Sequence, residues 1–165
     1  MHSIKIISGG QTGVDRGALD AALAKGVPCG GRCPHDRMAE DGIIDARYPL
    51  EPLDSGGYRR RTLENIADSD ATVIIYFGEI GLKSGTRLTL SGCIRQEKPF
   101  LLIDAQELSA ARAGERIAAF VHSHAVNILN FGGPRASLQP TAHAYTQQAA
   151  EYALDKLQNY DLIVK

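Results

Sequence analysis

The sequence predicts an α/β fold: a single-domain, three-layer α/β/α sandwich on a mainly parallel sheet, spanning residues 1–165. Three observations predict it. Short β-branched runs alternate with segments of helical period, the alternation that yields parallel strands joined by helical crossovers. The run from Ala71 to Phe77 carries Val73, Ile74, Ile75, Tyr76 and Phe77 in succession, as a central strand covered on both faces does. Clusters of Gly, Ser and Thr punctuate the passages from strand to helix, with no repeat, linker or low-complexity tract between them. At 165 residues and 44% hydrophobic content, the chain can bury about two-thirds of its unfolded surface in one core.

Ile4 to Ile7 forms the first strand, interrupted only by Lys5 and stopped at Gly9-Gly10. Asp15 to Lys25 is the first helix, with a stripe of Ala18, Leu19, Ala22 and Leu23 and Gly26 as its C′ stop. Val27 to Gly31 is a second short strand. Arg32 to Pro52 holds Pro34, Gly42, Pro49 and Pro52, many charges and poor periodicity, the marks of a long functional loop. Tyr58 to Ala67 is the second helix, with Leu63 and Ile66 inward and Asp68-Ser69-Asp70 at its end. After the Ala71 strand come a loop from Gly78 to Gly85, a helix from Thr86 to Gln96 and a strand from Pro99 to Ile103. A helix from Ala110 to His122 and a strand from Val126 to Leu129 follow. The last helix spans Pro140 to Gln158, with Ala149, Tyr152, Ala153 and Leu157 on one side. The whole is Rossmann-like, and such sheets bind ligands beyond the carboxyl ends of their strands, near the switch point of strand order.

The 18 basic and 19 acidic side chains nearly cancel to a formal charge of -1, so no broad field draws in a nucleic acid and none is expected as a partner. Any anion site must be local. Three cysteines without a regular framework suit a reducing compartment better than a disulfide scaffold. Met1 and His2 lead straight into a strand-like run without a basic and apolar leader, and no apolar run reaches membrane-spanning length. A cytoplasmic protein without a membrane contact is the expectation. Cys29, Cys33 and His35 lack the second ligand pair that a structural zinc site needs, so no metal site is expected.

Three turns carry the functional signal. In Ser8-Gly9-Gly10-Gln11-Thr12-Gly13-Val14-Asp15-Arg16, the glycines let backbone approach an anion closely. Ser8, Gln11 and Thr12 add donors, and the helix that follows presents free amides. The spacing is neither G-x-G-x-x-G nor a Walker A loop. Asp15 stands either as a helix cap or as a ligand contact. Arg16 opposes the helix dipole, a conflict that a nearby anion removes; a solvated arginine is the alternative. In the second turn, Lys83, Ser84, Gly85 and Thr86 either cap a helix or clasp a second phosphate. In the third, Asn130, Gly132, Gly133 and Arg135 combine a tight turn with a planar fork suited to phosphate or carboxylate, a solvated surface arginine being the alternative for Arg135. Arg59-Arg60-Arg61 lies on a helix, where successive residues point about 100° apart, so it reads as a solvated face.

With S-G-G-Q-T-G-V-D-R-G at 8 to 17, K-S-G-T-R-L-T at 83 to 89 and N-F-G-G-P-R-A-S at 130 to 137, nearly the whole chain resembles the molybdenum carrier protein family. That family is similar to a larger Rossmann-like group with nucleotide ligands. The group includes the lysine-decarboxylase-like, cytokinin-activating phosphoribohydrolases and the DNA-processing protein A fold. The resemblance implies a homo-oligomer that binds molybdenum cofactor (molybdopterin), a pterin carrying a phosphate, or a related nucleotide. The phosphoribohydrolases carry P-G-G-x-G-T-x-x-E, whose glutamate takes part in cleavage. Aligning their Gly-Thr with Gly85-Thr86 puts Thr89 at that glutamate, and a threonine cannot act as the carboxylate. The first expectation is therefore a binding or carrier protein that holds one small phosphorylated ligand among three turns. The alternative is a hydrolase or transferase on a nucleotide-like substrate, with Asp15, Asp36, Glu40 or Asp41 as acid or base.

Overall fold

The structure, a computed structural model, describes residues 4–163; the start of the chain, where no leader is expected, lies outside them. Its elements are β1 (Lys5–Ile7), α1 (Val14–Ala24), β2 (Cys29–Gly30), β3 (Arg32–Cys33), β4 (Met38–Ala39), β5 (Gly42–Ile43) and β6 (Glu51–Pro52). They continue with α2 (Tyr58–Asp68), β7 (Ala71–Tyr76), α3 (Gly85–Arg95), β8 (Phe100–Asp104), α4 (Ala110–Ser123), β9 (Ile128–Gly132) and α5 (Ala142–Ile163). Alternation along β7 separates the layers, because successive side chains leave a strand on opposite faces. Val73 and Ile75 join Ile103, Leu129 and Phe131 against α1, α4 and α5. Ile74 meets Ile66 of α2 and Cys93 of α3 on the other face. Each fully buried isoleucine contributes about 2 kcal/mol through apolar burial. The α/β/α sandwich follows directly from that division.

The central sheet is five-stranded in the order β2-β1-β9-β7-β8, and every pairing in it is parallel. Were β9 and α5 placed ahead of β1, this would be the doubly wound order 3-2-1-4-5. The strand that opens that fold closes this one. The switch point consequently lies between β9 and β7. Asp70 Oδ2 accepts the N–H groups of Asn127 and Ile128, each at 2.8 Å, and β9 begins at Ile128. The strand is shifted from the expected Val126 to Leu129 and carries Asn130 and Gly132 within it.

Several other expectations are corrected. Residues 32–52 are not an unstructured loop. They form a β4–β5 hairpin and a parallel β3–β6 ribbon, and they bury Cys33, Ala39, Ile44, Tyr48 and Leu50 over Leu19 of α1. These apolar residues stand singly, so no period announces them. Arg37 organises the segment by donating to the carbonyls of Leu50, Ile44, Asp45 and Tyr48. On α1, Leu23 is exposed and Ala21 takes the buried place beside Ala18 and Ala22. Among the described residues no helix is long and apolar enough to cross a membrane.

Candidate functional site

A cavity of about 520 Å3 opens beyond the carboxyl ends of β7 and β9, at the switch point where such sheets take ligands. The three turns converge there. Gly9, Gln11 and Asp15 line it from the first; Lys83, Ser84, Gly85 and Thr86 from the second; Asn130, Gly132, Gly133 and Arg135 from the third. Gly10, Thr12, Gly13 and Arg16 lie outside its lining.

The reason is that other parts of the chain already answer much of the first turn. A Cβ on Gly9 would overlap the Arg61 side chain, and one on Gly10 would overlap Leu50. Gly13, at φ 81, brings its backbone against Pro134, Arg135 and Ala136. The Thr12 hydroxyl donates to Glu40, whose carboxylate also accepts from the Ser137 amide and hydroxyl and faces Arg135 Nε at 3.4 Å. Arg16 forms a two-pronged pair with Asp41 and donates to the Gly10 carbonyl. Glu40 and Asp41, in the β4–β5 hairpin, therefore sit where anions suit these donors. Hydroxyl donation from Ser137 and Thr12 lowers the Glu40 pKa, and Arg16 lowers that of Asp41.

Asp15 does not cap α1, whose N-cap position is Gly13 without a side-chain bond. Its Oδ2 accepts the Gln11 amide at 3.2 Å and Arg61 Nη1 at 3.1 Å. Burial pushes its pKa up, against the opposing pull of Arg61, the Gln11 and Gly9 amides and Arg16. Arg61 is 8% exposed, which corrects the solvated-face expectation for the Arg59-Arg60-Arg61 run. Its Nε is buried without a partner among the described residues. Arg59 and Arg60 are exposed. The legible signal lay in helical spacing: Arg61 and Asn65 stand four apart and share an inward face beside Ile66.

In the second turn, Ser84 Oγ caps α3 by accepting the Arg87 amide at 3.1 Å, and Gly85 borders open space. Thr89 lines the cavity with its hydroxyl turned to the Gly85 carbonyl at 3.1 Å. In the third turn, Asn130 Nδ2 donates to Thr72 across the β9–β7 pair. Asp36, Glu40 and Asp41 lie outside the cavity lining; Asp15 belongs to it. Tyr58, Thr62 and Glu79 also line it, residues without a motif to mark them. Among the described residues, no three His, Cys, Asp or Glu side chains gather as a metal site would require.

Residues 6–154 match the family described as the circularly permutated YpsA SLOG family. This chain belongs to that family. The permutation in the description has its counterpart in β9, the opening strand of a doubly wound sheet placed late in the chain. Among solved structures, the "Putative molybdenum carrier protein" from Syntrophus aciditrophicus SB is 40% identical to this permuted YpsA SLOG chain. It superposes with a TM-score of 0.87, covering 92% of this chain and 96% of that one. A comparison with curated proteins returns no match.

Proposed function

We propose that residues 1–165 act as one ligand-binding domain, a carrier for a phosphorylated pterin such as molybdopterin or for a related nucleotide. The supporting observation is the cavity at the β9–β7 switch point, bordered by the open start of α3. First-turn amides of a helix lack intrahelical partners and favour anions. Ser84 takes only the Arg87 amide, and Lys83 stands exposed beside it with no ion-pair partner among the described residues. A phosphate fits there. The name of the 40%-identical relative agrees with the carrier reading, and Thr89 in place of a carboxylate disfavours the phosphoribohydrolase reaction. Mass spectrometry of material released from the native protein tests the proposal. A pterin phosphate or nucleotide is expected, and protein free of any such molecule that also shows no thermal shift with them would sink it. A ligand at 100 times its Kd stabilises the fold by about 2.7 kcal/mol.

The second reading, hydrolysis or transfer on a nucleotide-like substrate, has one observation in its favour: Asp15 lines the cavity with a raised pKa, the condition of a general acid. Release of free base from nucleoside monophosphates distinguishes it from the carrier. The proposal keeps a cytoplasmic homo-oligomer without nucleic-acid partner, and light scattering on the purified chain measures the oligomer.

A further inference from the structure

Two of the three turns that border the cavity are fixed by the rest of the chain, and the other is held only at its ends. Arg61 and Leu50 lie over the turn after β1, while the turn after β9 rests on Gly13 and is bound through Ser137 to Glu40. The loop from β7 to α3 has two anchors. At one end the Gly78 amide donates to Asp104 Oδ1 at 2.9 Å, and Gln106 closes in on its Cα. At the other, Ser84 caps α3. Between them, the hydrogen bonds of residues 79–83 stay within the loop and its flanks at Phe77 and Ser84. A Cβ on Gly81 would meet only the Ser84 side chain, and one on Gly85 nothing within 4 Å. So exposed a segment, with so few bonds to the body of the fold, moves at little cost in free energy.

The same loop carries Leu82, which is 82% exposed and stands between two residues of the cavity lining, Gly81 and Lys83. Leu138, itself in the lining, is 63% exposed. Scattered exposed leucines are ordinary, but two at the mouth of one cavity form a patch with a use. We propose that residues 79–83 are a lid that closes on the bound ligand, with Leu82 as its apolar clasp. The inference rests on the cavity being a ligand site, and it adds how the ligand is retained and released. A ligand shifts a conformational equilibrium only through contacts that differ between the two states. Here a phosphate at the start of α3 draws Lys83, and the loop with it, inward. Burial of Leu82 against the ligand and Leu138 is gained only when the loop arrives. Exclusion of water then strengthens the attraction between Lys83 and the phosphate. A patch that served only to dock another protein would leave ligand release from the isolated chain indifferent to Leu82.

The native protein is titrated calorimetrically with AMP, GMP and hydroxymethylpterin phosphate. With whichever of them binds, at saturation, the amides of residues 79–83 are expected to exchange with deuterium more slowly than in the free protein. Unchanged exchange overturns the lid and leaves the ligand site standing. A static contact at Lys83 would also slow exchange, so the dissociation rate separates the two. Leu82→Ser is expected to fold and melt like the native protein, because the leucine is already exposed. It is expected to release the ligand on the order of 10-fold faster, the scale of one leucine side chain taken out of water, with its association rate unchanged. An unaltered dissociation rate, read by stopped-flow displacement, overturns the role of Leu82 and the lid with it. If none of the three compounds binds, the site and the lid fall together.

Discussion

The turn after β1 and the turn before α3 hold similar residues, glycines and hydroxyls with a nearby cation, yet the fold treats them differently. In the first, Arg61 lies over Gly9, Leu50 packs on Gly10 and the turn after β9 packs on Gly13, while Glu40 and Asp41 occupy Thr12 and Arg16. In the second, Gly85 borders open space and Lys83 is exposed. A glycine-rich passage from strand to helix marks a place of close approach and offered donors. Whether a ligand or another segment of the same chain comes close depends on the rest of the fold.

The largest test of this contrast is Arg61→Ala. It leaves the Asp15 carboxylate buried without its cation, and loss of about 4 kcal/mol is expected, as for other buried pairs missing one partner. Urea unfolding measures it, and a loss below about 1 kcal/mol would mean the pair is not a sealed internal contact. Gly13→Val comes next. A side chain at φ 81 against the Pro134 carbonyl is expected to cost about 3 kcal/mol through strain and overlap. Ligand affinity should change only as far as the β9 turn moves, which a thermal melt paired with a binding titration resolves.

Lys83→Ala probes the open turn: no change in melting temperature, and about tenfold weaker binding of the phosphorylated ligand, the scale of one charged hydrogen bond. Unaltered affinity would remove Lys83 from the phosphate site. The two regions should also answer pH in opposite directions. Asp15 titrates above 3.8 in the folded state, so the native protein holds more protons than the unfolded chain just above that value. Stability falls there as pH rises. Glu40 and Asp41 titrate below 4.5 and 3.8; their contribution is complete above those values and is lost as pH falls through the folded pKa. Urea midpoints across acid pH should show a flatter neutral-side slope for Asp15→Asn and a flatter acid-side loss for Glu40→Gln. The smallest effect belongs to Asp41→Ala. Asp41 is half exposed, so a loss below about 1 kcal/mol is expected, with ligand affinity unchanged.

Much of this protein was legible from short-range pattern. The apolar run of β7, the stripe of α1 and the glycine stops each involve neighbours within a turn or two, where side-chain period and backbone freedom act directly. The alternation of strands and helices, the parallel sheet and the gathering of the three turns at one end of it follow from those local signals. Tertiary structure decided what no local pattern could. It placed β9 at the centre of the sheet, folded residues 32–52 over α1, and turned Arg61 inward onto Asp15, 46 residues away. It also set Glu40 against Ser137, 97 residues away, filling donors that the first turn seemed to hold out for a ligand. The physical reason is common to all of these: a donor, a charge or a glycine announces that it needs a partner, while the identity of that partner is fixed by packing between distant segments.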